Sequence, residues 1–262
     1  MKIQDQFAAL RSKGEKGLVL FITAGDPSLD ALPDITEALQ EAGADILEIG
    51  VPFTDPIADG PVIQSSSQRA LDRGVTPSQV MDAVGELSLD IPVVLMGYFN
   101  PAHRVGLREY ARQMAAAGVS GSIMCDLIPE EAGDWIEAST SAGVDTVFLA
   151  APTSTLGRQK VVCEVSTGFV YAVSRTGVTG VGTEVADSTE GLVTSLRGFT
   201  DVPICVGFGI SQPDHVRSVC EYADGAIIGS WLVDRLARDW EDAFLRSALL
   251  GEVKALKDAT RG

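Results

Sequence analysis

The sequence predicts an α/β protein, a single (β/α)8 TIM barrel that spans residues 1–262 and carries an extra N-terminal helix. Eight short apolar runs recur along the chain, and helical patterns lie between them. The runs are apolar throughout rather than alternating, which is typical of parallel strands covered on both faces. No linker separates the units, so one barrel is favoured over an open doubly wound sheet.

The predicted strands follow one another at even spacing along the whole chain. In order they are Leu18–Thr23, Ile46–Val51, Ile91–Met96, Ser122–Asp126, Thr146–Ala150, Phe169–Val173, Val202–Gly207 and Gly225–Gly229. The leading segment Ile3–Leu10 is predicted to be the extra helix, which would close the floor of the barrel.

The helices between the strands are predicted from apolar residues that recur every three to four positions. Leu32, Ile35 and Leu39 mark the face of one helix, and a second helix has the same pattern from Leu107 to Ala115. Three such helices are followed by a glycine, which favours the left-handed closing conformation: Gly43, Gly118 and Gly143.

Composition and charge exclude several classes of function. The chain has 20 basic and 36 acidic residues, a formal charge of -16 that would repel nucleic acids and anionic membranes. No apolar run approaches the ~18 residues of a membrane span. The N-terminal residues lack a signal-peptide core, so a cytoplasmic location is expected.

The most informative segment lies between residues 47 and 61, LEIGVPFTDPIADGP. Glu48 lies inside an apolar strand, where a carboxylate must be paired with a partner, be neutralised by a proton or serve a function. Asp55 and Asp59 follow in the Pro/Gly-rich loop. Barrel enzymes place their chemistry at the carboxyl ends of strands and in the following loops, so Glu48 and Asp59 are the catalytic candidates.

Two other acids have simpler explanations. Asp126 closes the fourth predicted strand, where capping or ion pairing explains it at least as well as catalysis. Asp55 precedes Pro56, and a role in the turn or in anchoring the loop is favoured there.

Glycine clusters follow the sixth, seventh and eighth predicted strands, at Gly177–Gly180, Gly207–Ser211 and Gly229–Ser230. These are the loops where barrels bind phosphate with backbone N–H groups and a helix N-terminus. The clusters predict a phosphorylated substrate.

Missing motifs narrow the chemistry further. The chain has no GxxxxGK[ST], complete GxGxxG or GxSxG motif. His103 and His215 are too few and too separated for a metal cluster, and no metal is expected. No lysine lies at a predicted strand end, where a Schiff base would need one. If a carbon–carbon bond is cleaved, acid/base catalysis by carboxylates remains.

Five segments, in order and spacing, resemble the tryptophan synthase alpha subunit family over nearly the whole chain. They are 47–61, Phe21–Pro27, Tyr98–Pro101, Ser174–Gly180 and Gly207–Ile210. The resemblance implies retro-aldol cleavage of indole-3-glycerol phosphate to indole and glyceraldehyde 3-phosphate. It implies that Glu48 is the main acid/base. It also implies that Asp59 binds the indole N–H and stabilises the positive charge that develops on the ring.

The resemblance also implies the substrate-binding residues. The indole pocket would be lined by Phe21, Ile63, Tyr98, Tyr171 and Phe208, although ordinary barrel packing would explain these residues without the resemblance. The phosphate and its surroundings would be held by Thr179, Gly180, Gly209, Gly229 and Ser230. Loops 52–60 and 176–187 would close over the substrate.

The resemblance implies a partner as well. A beta subunit that carries pyridoxal phosphate would receive the indole in an αββα tetramer, and this chain itself would need no cofactor. Trp231 is a departure, since the family usually has a small aliphatic residue there, and it would alter the pocket or the start of the last barrel helix. The loop 181–184 also differs from the commoner version.

Two alternatives stay open at this point. A stand-alone indole-3-glycerol phosphate lyase that releases free indole would need the same acids. A catalytically silent regulatory barrel would not, and the presence of both Glu48 and Asp59 argues against it.

Overall fold

Eight parallel strands form a closed barrel in which each strand pairs with its neighbours in chain order. The computed structural model describes residues 1–174, 183–207 and 209–261, of which residues 183–188 are described by their backbone alone. The strands are β1 (Gly17–Thr23), β2 (Ile46–Gly50), β3 (Val93–Gly97), β4 (Gly121–Met124), β5 (Asp145–Ala150), β6 (Val170–Val173), β7 (Ile204–Gly207) and β8 (Gly225–Ile228).

All eight predicted strands are present, and the predicted (β/α)8 barrel is confirmed. The largest differences are of two residues: β3 and β7 begin later than predicted, at Val93 and Ile204, and β4 ends earlier than predicted, at Met124. β1 and β8 close the barrel, with Leu18 opposite Ala226 and Val19 opposite Ile227.

Helices surround the barrel and connect its strands. They are α1 (Ile3–Ser12), α2 (Leu32–Glu41), α3 (Pro61–Asp72), α4 (Pro77–Gly85), α5 (Phe99–Val105), α6 (Leu107–Ala116), α7 (Gly133–Ala142), α8 (Leu156–Val165), α9 (Thr183–Arg197), α10 (Pro213–Cys220), α11 (Ser230–Asp239) and α12 (Ala243–Asp258). A 3-10 turn, Pro129–Glu131, precedes α7.

The predicted helix faces are largely the buried ones, except that Ala115 of the second helix is exposed. Leu32, Ile35 and Leu39 are buried on α2, and Tyr110 and Met114 are buried on α6. The three glycines predicted after helices, Gly43, Gly118 and Gly143, all have positive φ angles. The local sequence therefore determined where these helices end.

The N-terminal helix closes the floor of the barrel, as predicted. Its residues Ile3, Phe7 and Leu10 are buried and pack in one cluster with inward-facing strand residues such as Val19 and Phe169. The interior below the cavity is therefore a packed apolar core, and the opposite, carboxyl end of the strands is left for a site.

Among the described residues, no helix is both long and apolar enough to cross a membrane.

Candidate active site

A cavity of about 240 Å³ opens at the carboxyl ends of the strands. It is lined by Phe21, Glu48, Ala58, Asp59, Gly60, Ile63, Met96, Ile123, Cys125, Leu149, Tyr171, Gly209, Ile210, Ser211, Gly229, Ser230 and Trp231. The wall is mainly apolar, with carboxylates on one side and glycine and serine residues of the last two loops on another.

The floor of the cavity is one layer of inward-facing strand residues. Side chains alternate along a strand, so the residue two positions beyond a buried inward residue faces the same interior. Glu48 lies two positions after Ile46, and Tyr171 lies two positions after Phe169. Glu48 is opposite Phe21 in the register of β2 and β1. The barrel geometry thus places the side chains of Phe21, Glu48 and Tyr171 in the same layer of the barrel interior.

Glu48 is a buried carboxyl group that forms no salt bridge with the described residues of the chain. Its residue surface is 1% exposed, and its Oε2 atom has no hydrogen-bond partner among the described residues. Burial, followed by the charge of nearby Asp59, raises the pKa of Glu48 from 4.5 to about 8. At neutral pH the group is therefore mainly protonated and is able to donate a proton to a ligand in the cavity.

Asp59 has a different environment from Glu48. It is half-buried in the loop between β2 and α3, and its Oδ2 accepts a hydrogen bond of 2.9 Å from the hydroxyl of Tyr98. Burial raises the pKa of Asp59, and the Tyr98 hydrogen bond opposes that rise. The two carboxyl groups thus differ in exposure and in hydrogen bonding. Glu48 is suited to act as an acid, and Asp59 is suited to act as an anion.

Two aromatic rings of the cavity lie over glycines of neighbouring strands. A Cβ atom at Gly50 would lie 2.6 Å from the Phe21 ring, and one at Gly207 would lie 2.2 Å from the Tyr171 hydroxyl oxygen. Only glycine leaves space for these rings. Phe21 and Tyr171 are therefore fixed by adjacent strands and form flat apolar walls.

The glycine and serine side of the cavity contains the start of a helix. Gly209 and Ser211 follow β7, while Gly229 and Ser230 form the N-terminus of α11. The first N–H groups of a helix have no partner inside that helix and favour an anion. Thr179, Gly180 and Phe208, which were predicted to bind substrate, lie outside the described residues.

Three residues singled out in the sequence do not line the cavity in the described part of the chain. Tyr98, predicted in the indole pocket, is not among the residues that line the cavity and donates its hydroxyl proton to Asp59. Asp126 follows β4 and accepts a hydrogen bond from the N–H of Phe99 at the start of α5. Asp55 is exposed in the loop.

Several cavity residues were not predicted. Met96, Cys125 and Leu149 each lie two positions after an inward-facing residue of their strand. All three lie within the predicted strands, and the two-residue alternation of side chains along each strand is the signal that identifies them. Trp231 was noted as unusual, and the structure places it in the cavity wall, with the Arg235 guanidinium 5.7 Å from its ring centroid.

Residues 7–260 match the family model described as tryptophan synthase alpha chain. The chain belongs to this family. Members of the family cleave indole-3-glycerol phosphate and pass indole to the beta subunit of tryptophan synthase, which makes the alpha chain a carbon–carbon lyase. The alpha chain needs no cofactor, because pyridoxal phosphate is on the beta subunit.

Curated relatives and solved structures agree with this membership. The tryptophan synthase alpha chain of Geobacter sp. (strain M21) is 45% identical over 258 residues, which are 98% of this chain and 96% of the relative. That of Burkholderia lata is 48% identical over 238 residues, covering 90% and 88%.

The fold comparison covers the same length. An aminoacrylate-bound tryptophan synthase from M. tuberculosis superposes with a TM-score of 0.89 at 35% identity and covers 99% of both chains. The tryptophan synthase subunit alpha of Legionella pneumophila superposes with a TM-score of 0.90 at 30% identity, covering 99% of this chain and 98% of that one.

Among the described residues, no group of three or more histidine, cysteine, aspartate or glutamate side chains has an arrangement that could hold a metal ion.

Proposed function

We propose that Glu48 and Asp59 carry out the cleavage of indole-3-glycerol phosphate in this chain. The observation that carries the proposal is the position of Glu48, a buried carboxyl group whose Oε2 has no hydrogen-bond partner among the described residues and which faces Asp59 in a cavity with a helix N-terminus on another side. The substrate has an aromatic ring and a phosphate, and this cavity offers apolar walls for one and N–H groups for the other.

In the proposed reaction, Glu48 begins as the acid. Its proton goes to the indole carbon that bears the glycerol side chain, and the ring becomes a cationic indolenine. Asp59 accepts the hydrogen bond of the ring N–H and stabilises that positive charge. The Glu48 carboxylate then takes the proton of the adjacent side-chain hydroxyl.

Loss of that hydroxyl proton breaks the carbon–carbon bond. The electron pair of the bond returns to the ring and restores neutral indole, while the hydroxyl carbon becomes the aldehyde of glyceraldehyde 3-phosphate. Glu48 is protonated again at the end of the cycle, so no external acid or base is consumed. Phe21, Ile63 and Tyr171 would contact the ring, and Gly209, Gly229 and Ser230 would hold the phosphate.

We also propose an αββα assembly of this chain with a beta subunit, in the cytoplasm, in which residues 1–262 act as one domain. The loops after β2 and β4 expose Ile57 and Ile128, and the start of α8 exposes Leu156, at the same end of the barrel as the cavity mouth. Exposed apolar side chains grouped at one end of a molecule favour a protein contact there.

The test is an indole-release assay on the purified protein and on the Glu48→Gln variant. The variant should lose at least about 100-fold in kcat, because it can neither donate nor accept the transferred proton. It should keep its affinity for substrate, because the phosphate-binding loops are unchanged. Near-normal turnover would overturn the proposal.

Two controls accompany this assay. Glu164→Gln changes an exposed glutamate of α8 that pairs only with Lys160 at 3.7 Å among the described residues, and it should keep full activity. The assay is repeated with a tryptophan synthase beta subunit present. Strong activation is the expected result, whereas high turnover without the partner would identify a stand-alone lyase.

A further inference from the structure

The hydroxyl of Tyr98 connects the barrel to the loop that carries Asp59. Tyr98 is buried and stands directly after β3, as the residue that precedes α5. The N–H of Ala58 donates to its hydroxyl oxygen at 3.1 Å, and the hydroxyl itself donates to Asp59 Oδ2 at 2.9 Å. A backbone N–H can only donate, so the first bond leaves the tyrosine proton free for the carboxylate.

The ring of Tyr98 holds the same loop by a second contact. The Phe53 ring stacks on it with a centroid distance of 5.0 Å and an interplanar angle of 25°. The backbone of Asp59 is held within its own loop, because its N–H donates to the Pro56 carbonyl oxygen at 3.1 Å. Tyr98 therefore contacts the loop at its beginning and at its catalytic end.

We propose that Tyr98 is a positioning residue that orients Asp59 toward the indole and keeps Asp59 Oδ2 a hydrogen-bond acceptor. Tyr98 acts through Asp59 and does not contact the substrate, since the residue is not among the described residues of the cavity wall. This inference rests on the proposed function of Asp59, and it replaces the sequence-based expectation that Tyr98 lines the indole pocket.

The charges around Asp59 predict the direction in which its pKa changes when the Tyr98 hydroxyl is removed. In the described part of the chain, the titratable groups that face Asp59 are Glu48 on β2, Tyr98 after β3, Cys125 after β4 and Tyr171 on β6. Burial raises the pKa of Asp59, and the Tyr98 hydrogen bond is the contact that lowers it. Without that hydroxyl the pKa of Asp59 rises further, so a higher pH is needed to form the carboxylate.

The test is Tyr98→Phe, which removes only the hydroxyl and keeps the ring that stacks on Phe53. Loss of a hydrogen bond to a charged group should lower kcat roughly 10-fold or more, while KM changes little because the phosphate loops are intact. The acid side of the pH profile of kcat should move to higher pH. Tyr110→Phe, on α6 against Trp135, is the matched control. It should change neither kcat nor the pH profile of kcat.

A double-variant cycle with Asp59→Asn decides whether Tyr98 acts through Asp59. When Asp59→Asn is already present, adding Tyr98→Phe should cause no further loss of kcat. An equal loss in both backgrounds, or no loss in the wild-type background, would overturn the inference. Full turnover of Asp59→Asn alone would instead refute the proposed role of Asp59.

A carbon-13 NMR titration of the Asp59 carboxyl group tests the contact without using activity. The substrate-free Tyr98→Phe protein should show a higher pKa for Asp59 than the wild type, and Tyr110→Phe should match the wild type. An unchanged pKa in Tyr98→Phe would overturn the inference even if the proposed function holds.

Discussion

At the scale of single residues, the site depends on two carboxyl groups in unlike surroundings. Glu48 is fully buried, and desolvation holds it in its protonated form. Asp59 is half-buried in a loop and accepts a hydrogen bond that favours its anion. In the proposed function, this difference lets Glu48 donate a proton while Asp59 stabilises positive charge.

The first prediction concerns the pH dependence of the wild-type enzyme. Glu48 must start protonated, so kcat/KM should fall as pH rises through about 8, the pKa of the buried group. Asp59 must be ionised, so kcat/KM should also fall on the acid side. Indole release measured across the acid, neutral and alkaline range tests this.

The control for that profile is the dissociation constant of glycerol 3-phosphate over the same range. A phosphate monoester has its own pKa near ~6, and this measurement separates that ionisation from those of the enzyme. Activity that keeps rising through the alkaline range would contradict the role given to Glu48.

The second prediction concerns Trp231, the unusual residue of the cavity wall. Trp231 lines the cavity beside Ser230, in the first turn of α11. Trp231→Ala should raise KM about five-fold, because apolar contact worth about 1 kcal/mol is lost. The kcat should change little, since neither acid is touched.

The matched variant Trp231→Phe keeps an aromatic ring and should keep most of the affinity. Steady-state kinetics of both variants test the prediction. An unchanged KM in Trp231→Ala would show that the substrate does not contact this ring.

At the scale of elements, the last helix is attached to the end of the barrel opposite the cavity. Lys257 of α12 lies 2.9 Å from Asp45 Oδ2 and 3.0 Å from Glu15 Oε2. Asp45 also accepts the N–H of Leu18 at 2.7 Å. Burial nevertheless raises the pKa of Asp45, an effect larger than the lowering by Lys257. The pair therefore offsets a desolvation cost rather than adding much net stability.

The third prediction follows from this buried pair. Lys257→Met should destabilise the protein by about 3–5 kcal/mol, because it leaves the Asp45 charge buried without its partner. The activity of the folded fraction should not change, since the pair is remote from the cavity. Urea unfolding provides the measurement.

The double variant Lys257→Met with Asp45→Asn is the control. It removes both charges and should recover part of the lost stability. Additive losses in the double variant would contradict a coupled buried pair.

At the scale of the whole molecule, the burial of Glu48 lowers the stability of the fold at neutral and alkaline pH. Between pH 4.5 and about 8, the folded state keeps a proton on Glu48 that the unfolded chain has released. The unfolded state therefore binds fewer protons, and the free energy of unfolding falls as pH rises through this window.

The fourth prediction is that Glu48→Gln is more stable than the wild type at neutral and alkaline pH. The variant has no group to titrate at this position, and the gain should reach the order of 4 kcal/mol near pH ~8. It should disappear at about pH 4.5, the ordinary pKa of the group. Urea unfolding at several pH values tests this. A difference in the free energy of unfolding between the variant and the wild type that does not depend on pH would contradict it.

Much of the fold was predictable from the sequence because its signals are local. Apolar runs located the strands, apolar residues at helical spacing located helices such as α2 and α6, and Gly43, Gly118 and Gly143 indicated helix ends. A carboxylate in an apolar strand followed by a loop aspartate singled out Glu48 and Asp59. These conclusions need only near neighbours in the chain.

Contacts between distant side chains depend instead on the closed barrel. Tyr98 reaches Asp59 across 39 positions, and Lys257 reaches Asp45 across 212. The strands, the helices and the two acids could be located from the chain alone, because backbone preference and apolar spacing act over a few residues. The role of Tyr98, the place of Trp231 in the cavity wall and the buried Lys257 pair could not, because closure of the barrel joins residues that no local pattern connects.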